Sequence, residues 1–194
     1  RLRQLGLYDD AVIIFVADHG EELHDHGSWS HGSTLFQEQL RVPLIVRLPG
    51  GAHSGTRVQA LAQHIDLAPT LAEVLGLTPE ESFQGKSLLS LIGNEDLPAR
   101  RGYAHLDLDG TQATSLVEGH YKLICGNPFG GACRVYDLAT DPDEQTDLSD
   151  RRPVLAAYLR AQLRAFRIAA PSVEAPTAEI DPELRERLEA LGYL

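Results

Sequence analysis

Hydrophobic and polar positions divide the first third of the chain into short alternating elements. Residues 11–17 form a continuous apolar run rich in β-branched residues, the pattern of a strand buried on both faces of a parallel sheet. A polar loop over residues 21–33 follows, and a short helix is expected over residues 34–40. Further apolar runs predict strands over residues 42–47 and 58–65.

Helix signals follow these runs. Asp66 occupies an N-cap position and Gly76 ends the apolar periodicity, so a helix is predicted to about Leu75. Residues 84–87 then lead into a small apolar helix over residues 88–92.

From residue 100 the apolar runs shorten and alternate with turn residues, which predicts an antiparallel meander. Its strands are expected at residues 102–106, 113–118, 121–124 and 134–138. Amphipathic helices are predicted over residues 153–168 and 182–191, with a linker rich in proline and alanine over 170–178. The predicted fold class is α/β, with a partial sheet domain over residues 1–95 and a small antiparallel α+β subdomain over residues 96–194.

The two cysteines lie on opposite arms of a predicted hairpin. Cys125 and Cys133 flank a turn-rich segment, and a cross-strand disulfide requires their Cα atoms to approach within about 7 Å. Two unpaired thiols are an equally good interpretation, whereas two cysteines alone cannot fill a tetrahedral metal shell.

The charge balance disfavours some partners. Lys and Arg number 17 and Asp and Glu number 28, so the formal net charge is −11. An acidic chain argues against non-specific binding to nucleic acid, and no apolar run approaches the about 20 residues of a membrane span. The chain begins at Arg1 and contains no methionine, so we expect a fragment or a processed product.

Candidate chemistry is concentrated after the first apolar run. Asp18 and His19 follow it directly, and ligands of open α/β sheets bind at the carboxyl ends of strands. A carboxylate and an imidazole together suit a divalent metal, although on spacing alone a turn cap beside an exposed histidine is the more common explanation of such a pair. His24, His26 and His31 lie in the same loop, where any one of them is more readily a supporting residue than a ligand.

Other motifs are weaker. The acidic tract over residues 141–147 lacks the spacing of an EF-hand loop, and a turn and a helix cap are expected there. The sequence contains no nucleophile elbow, phosphate loop or dinucleotide fingerprint.

Several strings, taken together and in order, resemble the second half of the sulfatase family. They are FVADHGEEL at 15–23, HG at 26–27, WSHG at 29–32, RVPLI at 41–45, DLAPTL at 66–71, QGKSLL at 84–89, YKL at 121–123, YDL at 136–138, DP at 141–142 and LGYL at 191–194. The resemblance implies the alkaline-phosphatase-like α/β superfamily, with a large sheet domain and a smaller C-terminal antiparallel domain.

The resemblance also implies roles for individual residues. Asp18 and His19 match the pair that completes the family's divalent-metal shell, which is usually calcium; histidine at the second position is also similar to phosphonate monoester and phosphodiester hydrolases that favour manganese. His31 lies where the family places a Lys or His that touches the sulfate and the leaving-group oxygen. His26 is a candidate supporting residue.

One part of the family pattern is absent. The Cys/Ser-x-Pro-x-Arg motif that yields the formylglycine nucleophile does not occur here, and neither do the two N-terminal aspartates of the metal shell. In the family both lie upstream, so we expect a missing N-terminal half as the partner of this chain, and no turnover by the chain alone.

The resemblance therefore implies part of a metal-dependent sulfuric-ester hydrolase acting on a small-molecule or carbohydrate sulfate ester. The alternatives are a phosphonate monoester or phosphodiester hydrolase or a phosphotransferase of the same superfamily, and a non-catalytic metal-binding or interaction domain. A Cys125–Cys133 bridge would favour a periplasmic or secreted location over the cytoplasm.

Overall fold

The computed structural model describes residues 1–92, 100–108, 110–169 and 181–190. Residues 1–163 form one compact unit and residues 164–194 form another. Most of the expected domain join near residues 93–100 lies outside the described residues. The expected linker over residues 170–178 and the final residues 191–194 lie outside them as well. The division at residue 95 therefore stays a prediction.

The first sheet pairs strand β1 (Ile13–Val16) with β4 (Leu44–Arg47). The pairing is antiparallel, with Phe15 opposite Ile45, so the expected parallel arrangement is wrong for this pair. A continuous apolar run indicates burial but not the direction of the neighbouring strand. The Phe15 and Ile45 side chains are 61% and 64% exposed, so the described part of the chain does not cover both faces of this strand pair.

The segment between these strands is more ordered than the expected polar loop. It contains a hairpin of β2 (Glu22–Leu23) and β3 (Trp29–Ser30), paired antiparallel. The expected helix is present but shorter, as α1 (Gln37–Leu40).

The strand expected over residues 58–65 is wrong. Residues 58–63 are irregular, and a 3₁₀ turn at His64–Asp66 leads into helix α2 (Leu67–Val74). The Gln63 amide donates to the Arg101 carbonyl and accepts from the Tyr103 N–H, so one side chain provides the edge contacts that a strand would make. Another 3₁₀ turn, Leu88–Leu91, follows Ser87, whose hydroxyl accepts the Leu89 N–H.

Asp66 precedes α2 as expected, but its side chain does not cap that helix. The fully buried carboxylate accepts the N–H groups of Gln63 and Lys86 and a guanidinium N–H of Arg100, at 2.8, 2.9 and 2.8 Å. Burial alone would raise the pKa of Asp66, but these hydrogen bonds and the Arg100 charge hold that pKa below its ordinary value. Asp66 thus joins three stretches that are distant in sequence.

The predicted meander is confirmed as a four-stranded antiparallel sheet in the order β5–β6–β7–β8. The strands are β5 (Arg101–Leu108), β6 (Thr111–Glu118), β7 (Tyr121–Gly126) and β8 (Cys133–Asp137). Cys125 and Cys133 are opposite each other in the β7–β8 register, and the structure joins them in a disulfide with a Cα–Cα distance of 4.0 Å.

Both faces of this sheet are covered. Helix α3 (Pro153–Ala169) covers one face through its residues up to Leu163, and Leu159 contacts the cluster around Leu116 and Leu123. The other face carries Leu35 and Phe36, which precede α1. The sheet therefore supports the segment that follows the histidine-rich loop.

Helix α4 (Pro182–Ala190) lies within residues 164–194. Among the described residues, no helix is long and apolar enough to cross a membrane.

Candidate active site

Asp18 and His19 lie just beyond the end of β1, where the sequence placed them. The His19 Nδ1 atom is 2.7 Å from the Gly20 carbonyl oxygen. Because a carbonyl oxygen only accepts hydrogen bonds, Nδ1 donates in this contact, and in the neutral ring Nε2 then carries the lone pair. His19 Nε2 lies 3.9 Å from Asp18 Oδ2. An imidazole whose second nitrogen donates to a backbone carbonyl is in the usual state of a metal-binding histidine.

His31 comes close to this pair. The rings of His19 and His31 have centroids 4.0 Å apart and are tilted by 30°. His31 Nδ1 lies 3.4 Å from Glu21 Oε1, so a carboxylate faces one edge of the ring. Three of the residues singled out from the sequence therefore meet on one surface.

Helix α1 holds both ends of the segment 18–32, which we call the histidine loop. The Gly20 N–H donates to the Gln39 backbone carbonyl at 2.8 Å, and the Gly32 N–H donates to the Gln39 side-chain oxygen at 3.1 Å. Each glycine is next to one of the two histidines. A Cβ at Gly20 would overlap the Glu38 carbonyl, so the close approach requires glycine there.

Glu22 organises the interior of the histidine loop. Its buried carboxylate accepts the N–H groups of His26 and Ser28 at 3.2 and 2.7 Å and the Gln39 amide at 3.3 Å. A buried carboxylate requires such donors, because leaving its oxygens unpaired is costly.

His26 lies apart from the His19–His31 pair in a network of its own. Its Nδ1 atom is 2.7 Å from Glu38 Oε1, and its ring stacks on Phe36 with centroids 3.6 Å apart. His26 Nε2 is 3.2 Å from the Glu144 carbonyl oxygen and 3.4 Å from the Gln145 amide nitrogen. The ring therefore joins the histidine loop to the turn after β8.

The donor set fits part of a metal site. Asp18 offers a hard oxygen, and His19 offers Nε2 with its proton located on the other nitrogen. Within the described part of the chain, no group of three or more His, Cys, Asp or Glu residues is arranged to hold a metal ion. Two donor atoms alone do not complete a coordination shell.

The family follows from a comparison with known proteins. A family profile described as N-sulphoglucosamine sulphohydrolase, C-terminal, matches residues 25–168. The chain belongs to this sulfatase family. It corresponds to the C-terminal part of a sulfatase of the alkaline-phosphatase-like superfamily, as the resemblance implied.

Relatives of the sulfatase chain carry several sulfatase names. An N-acetylglucosamine-6-O-sulfatase of Bacteroides thetaiotaomicron is 30% identical over 156 residues, which cover 76% of this chain and 28% of that protein. A choline-sulfatase of Rhizobium meliloti is 31% identical, covering 92% of this chain and 35% of that protein. Human arylsulfatase K is 25% identical, covering 94% and 35%. The chain thus spans about a third of the length of these relatives.

Solved structures show the same fold. A structure in complex with its substrate D-glucosamine-2-N,6-O-disulfate superposes with a TM-score of 0.73 at 23% identity, covering 88% of this chain and 37% of that one. The phosphonate monoester hydrolase of Agrobacterium radiobacter gives a TM-score of 0.70 at 23% identity, covering 86% and 37%.

Sequence reasoning missed several residues that shape the site. It assigned no role to Glu22 or Gln39, because a polar stretch of sequence gives no sign of which of its side chains are buried. It also missed Lys122 and Glu144, which form a fully buried ion pair at 2.8 Å. The acidic tract makes the expected turn. The expected helix cap is also present, but on the distant helix α1, where the Glu144 carboxylate accepts the Gln37 N–H at 2.6 Å.

Proposed function

We propose that this chain supplies the C-terminal part of the active site of a metal-dependent sulfuric-ester hydrolase. The observation that carries the proposal is the meeting of Asp18, His19 and His31 on one surface of a chain that belongs to a sulfatase family. The names of its relatives support the same activity for a protein that contains this chain.

Asp18 and His19 are the residues that would hold the metal. When bound, a divalent cation neutralises charge on the non-bridging oxygens of the ester. Calcium is the first expectation from the family and suits the Asp18 oxygen, whereas the nitrogen of His19 favours manganese. The protonated Nδ1 of His19, bonded to the Gly20 carbonyl, leaves Nε2 as the donor and sets the orientation of the ring.

We assign His31 to the leaving-group side of the reaction. Its Nδ1 edge faces the Glu21 carboxylate, so the ring presents Nε2 as the atom that can deliver a proton. Protonation of the departing alcohol oxygen at that atom would make the alcohol a better leaving group. Glu21 then orients the ring.

The proposed substrate is a small-molecule or carbohydrate sulfate ester. A carbohydrate is supported by the relative named N-acetylglucosamine-6-O-sulfatase and by the neighbour solved with a disulfated glucosamine. A small molecule is supported by the relative named choline-sulfatase. The remaining metal ligands and the nucleophile belong, on this proposal, to an N-terminal part that the relatives' greater length leaves room for.

A phosphonate monoester or phosphodiester hydrolase is the second candidate. The nitrogen donor of His19 favours it, and a phosphonate monoester hydrolase has the same fold. A multifunctional alkaline phosphatase superfamily protein of Trinickia caryophylli is also 32% identical over 112 residues.

Sequencing the coding region upstream of Arg1 tests the proposal. We expect a Cys/Ser-x-Pro-x-Arg motif and an early pair of aspartates in the same reading frame. A start codon immediately before Arg1 would refute it and favour the non-catalytic metal-binding domain. A plain Thr or Ser in place of the motif would favour a phosphotransferase instead.

A further inference from the structure

A buried ion pair outside the histidine loop reaches helix α1, whose Gln39 holds both ends of that loop. We propose that Glu144, held in place by Lys122, is a positioning residue that fixes α1 and thereby the spacing of His19 and His31. The inference rests on the proposed function of that site and names the residues that set its geometry.

Lys122 and Glu144 are charged side chains in the interior. Lys122 lies on β7, Glu144 lies in the turn after β8, and both side chains are 0% exposed. Burial lowers the pKa of Lys122 and raises the pKa of Glu144, while the attraction between the two charges opposes both shifts. Because an apolar pair of similar volume is often at least as stabilising, stability alone does not account for this ion pair.

The second oxygen of Glu144 acts on the start of α1. Glu144 Oε2 accepts the Gln37 N–H at 2.6 Å, and Gln37 is the first residue of the helix. Phe36, at the N-cap, offers no side-chain acceptor for that turn. Lys122 Nζ is also 3.4 Å from Gln37 Oε1, so the ion pair holds both the backbone and the side chain of one residue.

The backbone of Glu144 makes a second contact, with His26 of the histidine loop. Glu144 has a φ of 53°, an uncommon conformation for a residue with a side chain, and the Asp141 carboxylate stabilises the turn by accepting the Gln145 and Thr146 N–H groups. In that conformation the Glu144 carbonyl faces His26 Nε2. His26 in turn contacts Phe36 and Glu38, the residues on either side of Gln37.

The path from Glu144 to the site is therefore short. Glu144 holds the first turn of α1, and Gln39 of the same turn holds Gly20 and Gly32. A shift of α1 would displace the neighbours of His19 and His31 together. Displacing catalytic groups by about 1 Å can cost up to about 10²-fold in rate.

Two double variants of the full-length protein separate charge from positioning. Lys122→Met/Glu144→Gln removes both charges but keeps an oxygen that can accept the Gln37 N–H, whereas Lys122→Met/Glu144→Met removes that acceptor as well. We expect the second variant to have a kcat at least about 10-fold below that of the first, with KM little changed. Glu118→Gln, in the more exposed Arg101–Glu118 pair of the same sheet, is the control and should leave kcat unchanged.

Hydrogen exchange supplies a readout that does not depend on activity. In Lys122→Met/Glu144→Met we expect faster exchange at the Gly20 and Gly32 amides than in Lys122→Met/Glu144→Gln. Equal kcat and equal exchange in the two variants would overturn the positioning role while leaving the proposed function intact. A wild-type protein that hydrolyses no sulfate ester would overturn the proposed function, and the exchange comparison would still decide the positioning role.

Gln37 offers a second matched pair if the buried double variants do not fold. Gln37→Pro removes the N–H that Glu144 accepts at a helix position where proline is tolerated, and Gln37→Ala keeps that N–H. We expect faster exchange at Gly20 and Gly32 and a lower kcat only in Gln37→Pro. The same values in both variants would contradict the inference.

Discussion

The atoms that face two histidine rings underlie the proposed chemistry of the site. In His19 the Gly20 carbonyl holds the proton on Nδ1, and Nε2 faces the Asp18 carboxylate at 3.9 Å. In His31 the Glu21 carboxylate faces Nδ1 at 3.4 Å. On the proposed function, the first ring would bind a cation and the second would carry a proton, and their centroids are only 4.0 Å apart.

The role of Asp18 can be tested by metal content. Asp18→Ala removes the oxygen donor beside His19 Nε2, so we expect the full-length protein to lose most of its bound divalent metal. Elemental analysis after dialysis measures the metal content and also identifies calcium or manganese. The exposed Asp10→Ala is the matched control. Wild-type metal content in Asp18→Ala would refute the ligand assignment.

At the scale of elements, buried polar side chains join segments that the chain order separates. Asp66 ties the irregular segment before α2 to Lys86 and Arg100, and Gln63 completes the edge of β5. Such contacts bring residues together across 20 to 40 positions of sequence, and replacing a paired buried carboxylate leaves a partner charge uncompensated.

Asp66 is therefore expected to make stability depend on acid pH. Because its folded-state pKa is lowered, its contribution is complete above the unfolded-state pKa of about 3.9 and is lost as the pH falls through the folded-state pKa. Asp66→Asn should lower the free energy of unfolding by about 3 kcal/mol at neutral pH and flatten this acid dependence. Thermal unfolding as a function of pH measures both effects. An unchanged acid profile in Asp66→Asn would contradict this role.

The sequence predicted the elements whose formation depends on neighbouring residues alone. The meander strands and α3 follow from short apolar runs and amphipathic periodicity, and the position of Asp18 and His19 follows from the end of an apolar strand. The errors have tertiary causes. The run at residues 58–65 has a strand-like composition, yet Gln63 alone makes the edge contact, and the Lys122–Glu144 pair joins residues whose sequence neighbourhoods give no sign of each other.

At the scale of the whole molecule, the exposed apolar surface of β1 and β4 is expected to affect association between chains. Phe15 and Ile45 are opposite each other and mostly exposed. Exposed apolar strand surface promotes association, so we expect the 194-residue chain expressed alone to form oligomers or aggregates. Phe15→Thr/Ile45→Thr should increase the monomer fraction in size-exclusion chromatography, whereas Val154→Thr, at an exposed site on α3, should not. An entirely monomeric wild-type chain would contradict this expectation.

Sulfate-ester turnover by the full-length protein tests the proposed function most directly. The measurement compares kcat for a sulfate ester in the full-length wild type, in His31→Ala and in the exposed control His53→Ala. We predict hydrolysis by the wild type and by His53→Ala, and a kcat lower by about 10²-fold or more in His31→Ala, the usual scale for loss of a general acid. No hydrolysis by the wild type would contradict the proposed function, and an unchanged kcat in His31→Ala would contradict the role of His31.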